Sequence, residues 1–154
     1  MFDEDHKYLS VTLTLPDGMP VKDHVVLLHS CCAPCSAAVI ECMLRNGMRP
    51  TVYFSNPNIM PEEEYLIRKR ETVRFLQEQN VPFVEDDYDH CSWLHEVKGM
   101  EHEPERGRRC SACFEYRLYR AARYAARNDF ELLATTLASS RWKDIRQVND
   151  AGRK

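Results

Sequence analysis

No run of apolar residues in this sequence approaches the length needed to cross a bilayer. The first ten residues, MFDEDHKYLS, lack the basic-then-apolar pattern of a secretory signal and are not read as one. Internal repeats and low-complexity tracts are also missing, which excludes a solenoid or a linker-like chain. Net charge is only −3, so no global basic field advertises a nucleic-acid partner, and only local patches could serve one. What is present, 154 residues that are 44% apolar and 29% charged, suits one globular domain with an ordinary core. A cytoplasmic location is the expectation. Its seven cysteines would stay reduced there, where clustered thiols favour metal or redox chemistry over structural disulfides.

Hydrophobic periodicity divides the chain into an N-terminal extension, residues 1–23, and a single α/β domain, residues 24–154. Within the extension Ser10–Leu15 alternates as a short strand before the turn Pro16-Asp17-Gly18. The domain opens on a buried strand, Val25–His29, followed by a loop over Ser30–Cys35 and a helix over Ser36–Arg45. Further strands are predicted at Thr51–Phe54, Val81–Glu85 and Glu131–Thr135. Helices are predicted over Pro61–Gln79, around Trp93–Val97 in an otherwise irregular 86–109, from Cys110 onward, and over Lys143–Asn149. Strands alternating with helices predict a three-layer parallel sheet. Ligands of such folds bind beyond the carboxyl ends of the strands, where the loops carrying Cys31 and Asn56 fall.

The loop Cys31-Cys32-Ala33-Pro34-Cys35 contains no glycine, and that absence argues against a phosphate-cradling turn. Three thiols stand there instead. Cys110-Ser111-Ala112-Cys113 opens a second helix, whose partial positive charge favours thiolates. Two such groups point to a cysteine-ligated centre, best read as an iron–sulfur cluster. A structural zinc site is the plainer reading. Against it, the groups lie much further apart than the about 20 residues usual in compact zinc modules, and adjacent cysteines crowd a single tetrahedral ion. Thiol–disulfide exchange through Cys32 and Cys35 is a third reading, which leaves Cys110 and Cys113 unexplained. Cys42 reads as a packing cysteine and Cys91 as a surface thiol.

Around the thiols, Asn56 and Asn58 are candidate substrate contacts or plain turn residues. Tyr88 and Asp89 are candidate proton donors, with packing and helix capping as the simpler roles. A charged loop carrying Glu101, Glu103, Glu105 and Gly107 could fold over the pocket. Arg117, Arg120, Arg123 and Arg127, interleaved with Tyr116, Tyr119 and Tyr124, are read as a basic stripe facing away from Phe114 and Leu118, suited to a phosphate backbone.

Four separated segments, LLHSCCAPCS, YFSNPNIMPEEEYLIRKRE, DYD with KGMEHEPERGRRCSACFEYRLYRAA, and ATTLASSRWKD, together resemble the non-cobalamin epoxyqueuosine reductase family of QueH type, over about residues 24–145. The resemblance implies a nucleotide-hydrolase-like (HUP/PP-loop-like) α/β fold and a cytoplasmic oxidoreductase of queuosine biosynthesis. Its implied reaction is the two-electron reduction of the epoxide of epoxyqueuosine, at the wobble position of tRNA, with an unidentified electron donor and no membrane. It further implies a [4Fe–4S] cluster on Cys31, Cys32, Cys110 and Cys113, with Cys35 placed for an adjacent metal, such as iron. Substrate contacts would fall to Asn56, Asn58, Arg117 and Arg120, and proton donation to Tyr88 or Asp89. Members of the family usually continue past the point where this sequence stops and carry a late cysteine pair read as a redox disulfide. The expectation is therefore a domain whose C-terminal strand is missing. Three other functions remain open on the residues alone: a zinc-stapled RNA-binding module, a thiol–disulfide oxidoreductase and, disfavoured by the glycine-free loop, an adenylating enzyme.

Overall fold

The computed structural model describes residues 11–154. The elements run β1 (Val25–Ser30), α1 (Ala33–Arg45), β2 (Arg49–Phe54), α2 (Glu62–Gln79), β3 (Phe83–Glu85), α3 (His90–Glu96), α4 (Arg108–Arg127), β4 (Leu132–Thr135) and α5 (Ile145–Arg153), with a 3-10 turn at Leu137–Ser139. All pairings in the sheet are parallel, in the order β3-β2-β1-β4.

The apolar run of β1 is flanked by strands on both sides and buried on both faces, which is why it does not alternate with polar residues. Its side chains still alternate in direction. Val26 and Leu28 join Ile40, Met43, Val52 and Leu76 under α1 and α2. Leu27 joins Tyr53, Ala121 and Ala125 under α4. The three expected layers follow from that period of two. Among the described residues no helix is long and apolar enough to cross a membrane.

Several boundaries move for local reasons. Helix α1 begins at Ala33 rather than Ser36, with Pro34 in its opening turn, where a missing N–H costs nothing. Cys35 therefore stands on the helix and not in the loop before it. Helix α4 begins at Arg108 on Gly107. A Cβ at Gly107 would come within 2.8 Å of the Pro104 carbonyl, so only glycine fits this entry. Helix α2 closes on Asn80 in the left-handed region at φ 54, a conformation asparagine tolerates better than most residues. In the segment before β1, Ser10 of the expected strand lies outside the described residues. The remainder forms a single bridge, Thr14 to Pro20, and packs Leu13, Leu15 and the buried Val21 on the core.

The chain steps outward from β1 to β2 to β3, then crosses back to put β4 on the other side of β1. That reversal opens a crevice beyond the carboxyl ends of β1 and β4. Cys31 follows β1 there, Ser55 and Asn56 follow β2, and Thr136 follows β4.

Candidate metal centre

Ser30 ends β1 and Cys32 caps α1, so the turn between them holds its thiols at a strand end and a helix start. Ser36 Oγ donates to the Cys32 carbonyl at 2.7 Å and contacts Ser30 Oγ, which fixes the turn. The sulfurs of Cys31, Cys32 and Cys35 lie within 4.8 Å of one another.

Their charges are unequal. The Cys31 thiol is lowered from 9.0 to about 4, first by the S–H of Cys32, then by Lys143 and Arg117 against the opposing effect of burial. Lys143 Nζ stands 3.9 Å from Cys31 Sγ. Holding the thiolate on Cys31 pushes the Cys32 thiol up, and burial raises Cys35. The group carries one anion with cations behind it. Soft sulfur donors free of carboxylates suit a thiophilic metal group, and both remaining thiols can ionise on ligation.

Cys110 and Cys113 sit one turn apart near the start of α4, on one face. They do not belong to the three-sulfur group. Instead they line a cavity of about 210 Å³ together with Asn58, Trp142 and Lys143. Lys143 thus joins the two cysteine sets, reaching Cys31 from a cavity that Cys110 and Cys113 line. A larger cavity, about 870 Å³, runs along α4, β4 and α5 and contains none of the thiols.

Arg117 corrects the expected solvent-facing stripe. It is 2% exposed. Its Nε donates to the Ser55 carbonyl at 3.1 Å, and its Nη2 donates to Asn56 Oδ1. Asn56, also buried, donates from Nδ2 to the Ser30 carbonyl at 3.0 Å. These bonds tie α4 to the ends of β1 and β2 directly below the thiols. Arg120 pairs with Asp86 at 2.8 Å. Burial pushes the Asp86 carboxyl up, but its bonds from Arg120 and Ser55 win and hold it below the ordinary range. Arg123 stacks over Tyr119.

Tyr88 donates its hydroxyl to the Ile59 carbonyl at 2.6 Å and stacks on Tyr65. Asp89 caps α3 by accepting from Ser92 N, and its bonds from Ser92 hold it ionised. These contacts are packing for Tyr88 and helix capping for Asp89. Cys42 approaches the Val11 carbonyl at 4.0 Å, and Cys91 is exposed.

Sequence reasoning passed over His29 and Lys143. His29, fully buried at the end of β1, contacts Thr135 Oγ1 at 3.0 Å and donates from Nε2 to the Ser55 carbonyl at 3.1 Å. Burial first, and the Arg117 charge second, lower it from 6.5 to about 3, so it is neutral at pH 7. A histidine ending an apolar strand was the available signal.

The thiolate makes a measurable prediction. In metal-free protein, alkylation of Cys31 by a small reagent should be nearly flat between pH 6 and 9. A thiol of ordinary pKa gains about tenfold per pH unit below its pKa. Peptide mapping of the labelled chain reads the two behaviours apart, and a tenfold-per-unit rise at Cys31 would refute the assignment of charge.

The family model for epoxyqueuosine reductase QueH matches residues 26–154. The chain belongs to the epoxyqueuosine reductase QueH family. The chain is 47% identical to the Haemophilus influenzae protein of that name over 152 residues, covering 99% of this chain and 60% of the relative. The Acinetobacter baylyi relative is 49% identical over 142 residues, covering 92% and 63%. The Histophilus somni relative is 49% identical over 142 residues, covering 92% and 57%. The chain therefore spans about three-fifths of the length of these QueH relatives.

Proposed function

We propose that this chain carries the metal-binding part of an epoxyqueuosine reductase, acting in the cytoplasm on tRNA with epoxyqueuosine at the wobble position. The observation that carries the reading is the thiolate-bearing group Cys31, Cys32 and Cys35 at the switch point of a QueH-family sheet. Cys31, Cys32, Cys110 and Cys113 would hold a [4Fe–4S] cluster, with Cys35 beside it for a second metal. When bound, such a cluster supplies electrons singly, at a potential set by its ligands, charge and exposure.

Reduction of the epoxide breaks two C–O bonds, forms one C=C bond and releases the oxygen as water, consuming two electrons and two protons. The chain's residues prepare the place where this would occur. Arg117 and Lys143 set positive charge against the sulfurs, which offsets the negative charge of ligated thiolates. Asn56 and Arg117 hold the ends of β1 and β2 so that the thiol turn cannot drift. Lys143 holds protons at Nζ beside Cys31 and on the cavity wall, a better station for a proton donor than Tyr88 or Asp89.

The grouping itself favours a second reading, a single metal ion on Cys31, Cys32 and Cys35 alone, as in open three-ligand sites. The experiment is anaerobic reconstitution, assay of iron and acid-labile sulfide, then incubation with epoxyqueuosine-bearing tRNA and a chemical reductant. Formation of the queuosine nucleoside, detected by mass spectrometry, is expected. Colourless protein with one zinc per chain and no conversion would replace the reductase by a zinc-stapled module.

A further inference from the structure

Cys31 Sγ lies 3.9 Å from each of Cys32 Sγ, Lys143 Nζ and Thr136 Oγ1. Cys32 is read above as a fellow ligand, which gives up its proton on binding a metal and then has none to donate. Thr136 is different. It is fully buried and neutral, and its hydroxyl keeps its proton whether or not the sulfur is ligated.

Where that proton points follows from counting donors. Ser36 Oγ has a single hydrogen, which goes to the Cys32 carbonyl at 2.7 Å. Ser30 Oγ therefore donates to Ser36 Oγ. The remaining hydroxyl contact, 3.5 Å between Ser36 and Thr136, is directed from Ser36 toward Thr136. It leaves the Thr136 hydrogen free, and Cys31 Sγ is the acceptor left to it among the described residues.

The local backbone points the same way. Thr136 stands in the capping position of the 3-10 turn Leu137–Ser139, where a threonine oxygen ordinarily accepts from a backbone N–H of the turn. Here its side chain makes no capping bond, and Thr135 Oγ1 takes the Leu137 N–H instead, at 3.2 Å. Thr136 N donates to the His29 carbonyl at 3.0 Å, which ties the residue to the end of β1. Branching at Cβ then restricts its rotamer. The hydroxyl is held toward sulfur by the fold.

We infer that Thr136 is a positioning residue of the metal centre, whose hydroxyl donates to Cys31 Sγ, holds that ligand in place and raises the reduction potential of the group bound there. The inference rests on the cluster reading above and deepens it. A donor to a ligating sulfur stabilises the more negative, reduced state, because a hydrogen bond strengthens with the charge on its acceptor. A centre of raised potential can be filled by a weaker reductant.

The test compares Thr136→Val, which keeps the branched shape and removes the O–H, with Thr136→Ser, which keeps the O–H and removes a methyl. Each full chain is reconstituted anaerobically and its potential read by redox titration with electron paramagnetic resonance. At a given potential the ratio of reduced to oxidised centre should fall roughly 3- to 10-fold in Thr136→Val, tenfold being about 59 mV for one electron. In Thr136→Ser it should stay within about twofold of the wild type. A packing role predicts the opposite order, and that order, or equal potentials in all three chains, overturns the inference while sparing the reductase reading. Melting temperatures are measured alongside. Should Thr136→Val fail to fold, Thr136→Ser decides: a shifted potential overturns the inference and an unshifted one upholds it. Cobalt(II) added to the metal-free chains gives a second arm that needs no cluster. Its thiolate charge-transfer band should move to longer wavelength in Thr136→Val and not in Thr136→Ser. A wild type that takes up no iron and sulfide overturns the reductase reading, and the cobalt band then judges Thr136, an unmoved band in Thr136→Val overturning its role. Absence of any thiolate–cobalt band in the wild type overturns both.

Discussion

Serine in place of Cys31 is expected to strip the chain of its metal, with iron and acid-labile sulfide falling to background after anaerobic reconstitution. A metal group takes thiolate, not thiol, and Cys31 is the cysteine whose ionisation the fold has already arranged. A serine hydroxyl in the same place stays protonated and offers only a weak neutral donor. The surrounding cations then make the loss worse. Arg117 is buried, and Lys143 is aimed at the sulfur position, so removing the thiolate leaves their charge less compensated. Lys143→Met keeps the ligand and removes one cation, and a loss of about 10- to 100-fold in metal affinity is expected, as for other outer partners of metal ligands. Cys110→Ser separates the two ligand sets. Loss of sulfide-containing iron places Cys110 in the centre, whereas one metal ion retained per chain confines it to Cys31, Cys32 and Cys35. Wild-type iron and sulfide in Cys31→Ser would remove the three-sulfur group from the argument.

The parts of this arrangement that follow local rules could be read directly. A continuous apolar stretch makes β1 an interior parallel strand, and the absence of glycine after it excludes a phosphate turn. Each α/β connection then sends Cys31 and Asn56 to one edge of the sheet. Arg117 was misplaced because charge was allowed to outweigh period. It lies three residues after Phe114 and four before Ala121, both buried, so the helical repeat had put it on the inward face all along. Its partners, a carbonyl and an amide in the loop after β2, are set by topology and leave no local mark. The same is true of Lys143, whose reach to Cys31 depends on how the loop after β4 folds back across the crevice. The order of the strands, and hence the switch point, was likewise beyond a reading of one chain.

Acid should unfold this chain through His29. Its pKa in the folded state is about 3, lowered from 6.5 by burial and by Arg117. Between those two values the unfolded chain binds a proton at this position and the folded chain does not. Protonation therefore favours unfolding, and the contribution is lost as pH falls below 6.5, at about 1.4 kcal/mol per unit. By pH 4.5 the loss reaches about 2–3 kcal/mol, a large share of a stability that is typically about 5–15 kcal/mol. Cys31, also lowered in the folded state, adds a slope of the same sign in metal-free protein. The comparison with His29→Gln isolates the histidine, since the amide can still donate to Ser55 without titrating. The stability lost between pH 7 and pH 4.5, read from urea unfolding, should be about 2–3 kcal/mol larger in the wild type than in His29→Gln, the Cys31 slope being common to both. Arg117→Met should raise the pKa of His29 and so end the loss at a higher pH, because after burial the guanidinium charge is the largest influence holding the ring neutral. Equal pH slopes in wild type and His29→Gln would mean that the buried imidazole is protonated in the folded state, with its contacts to Thr135 and Ser55 rearranged to accept the charge.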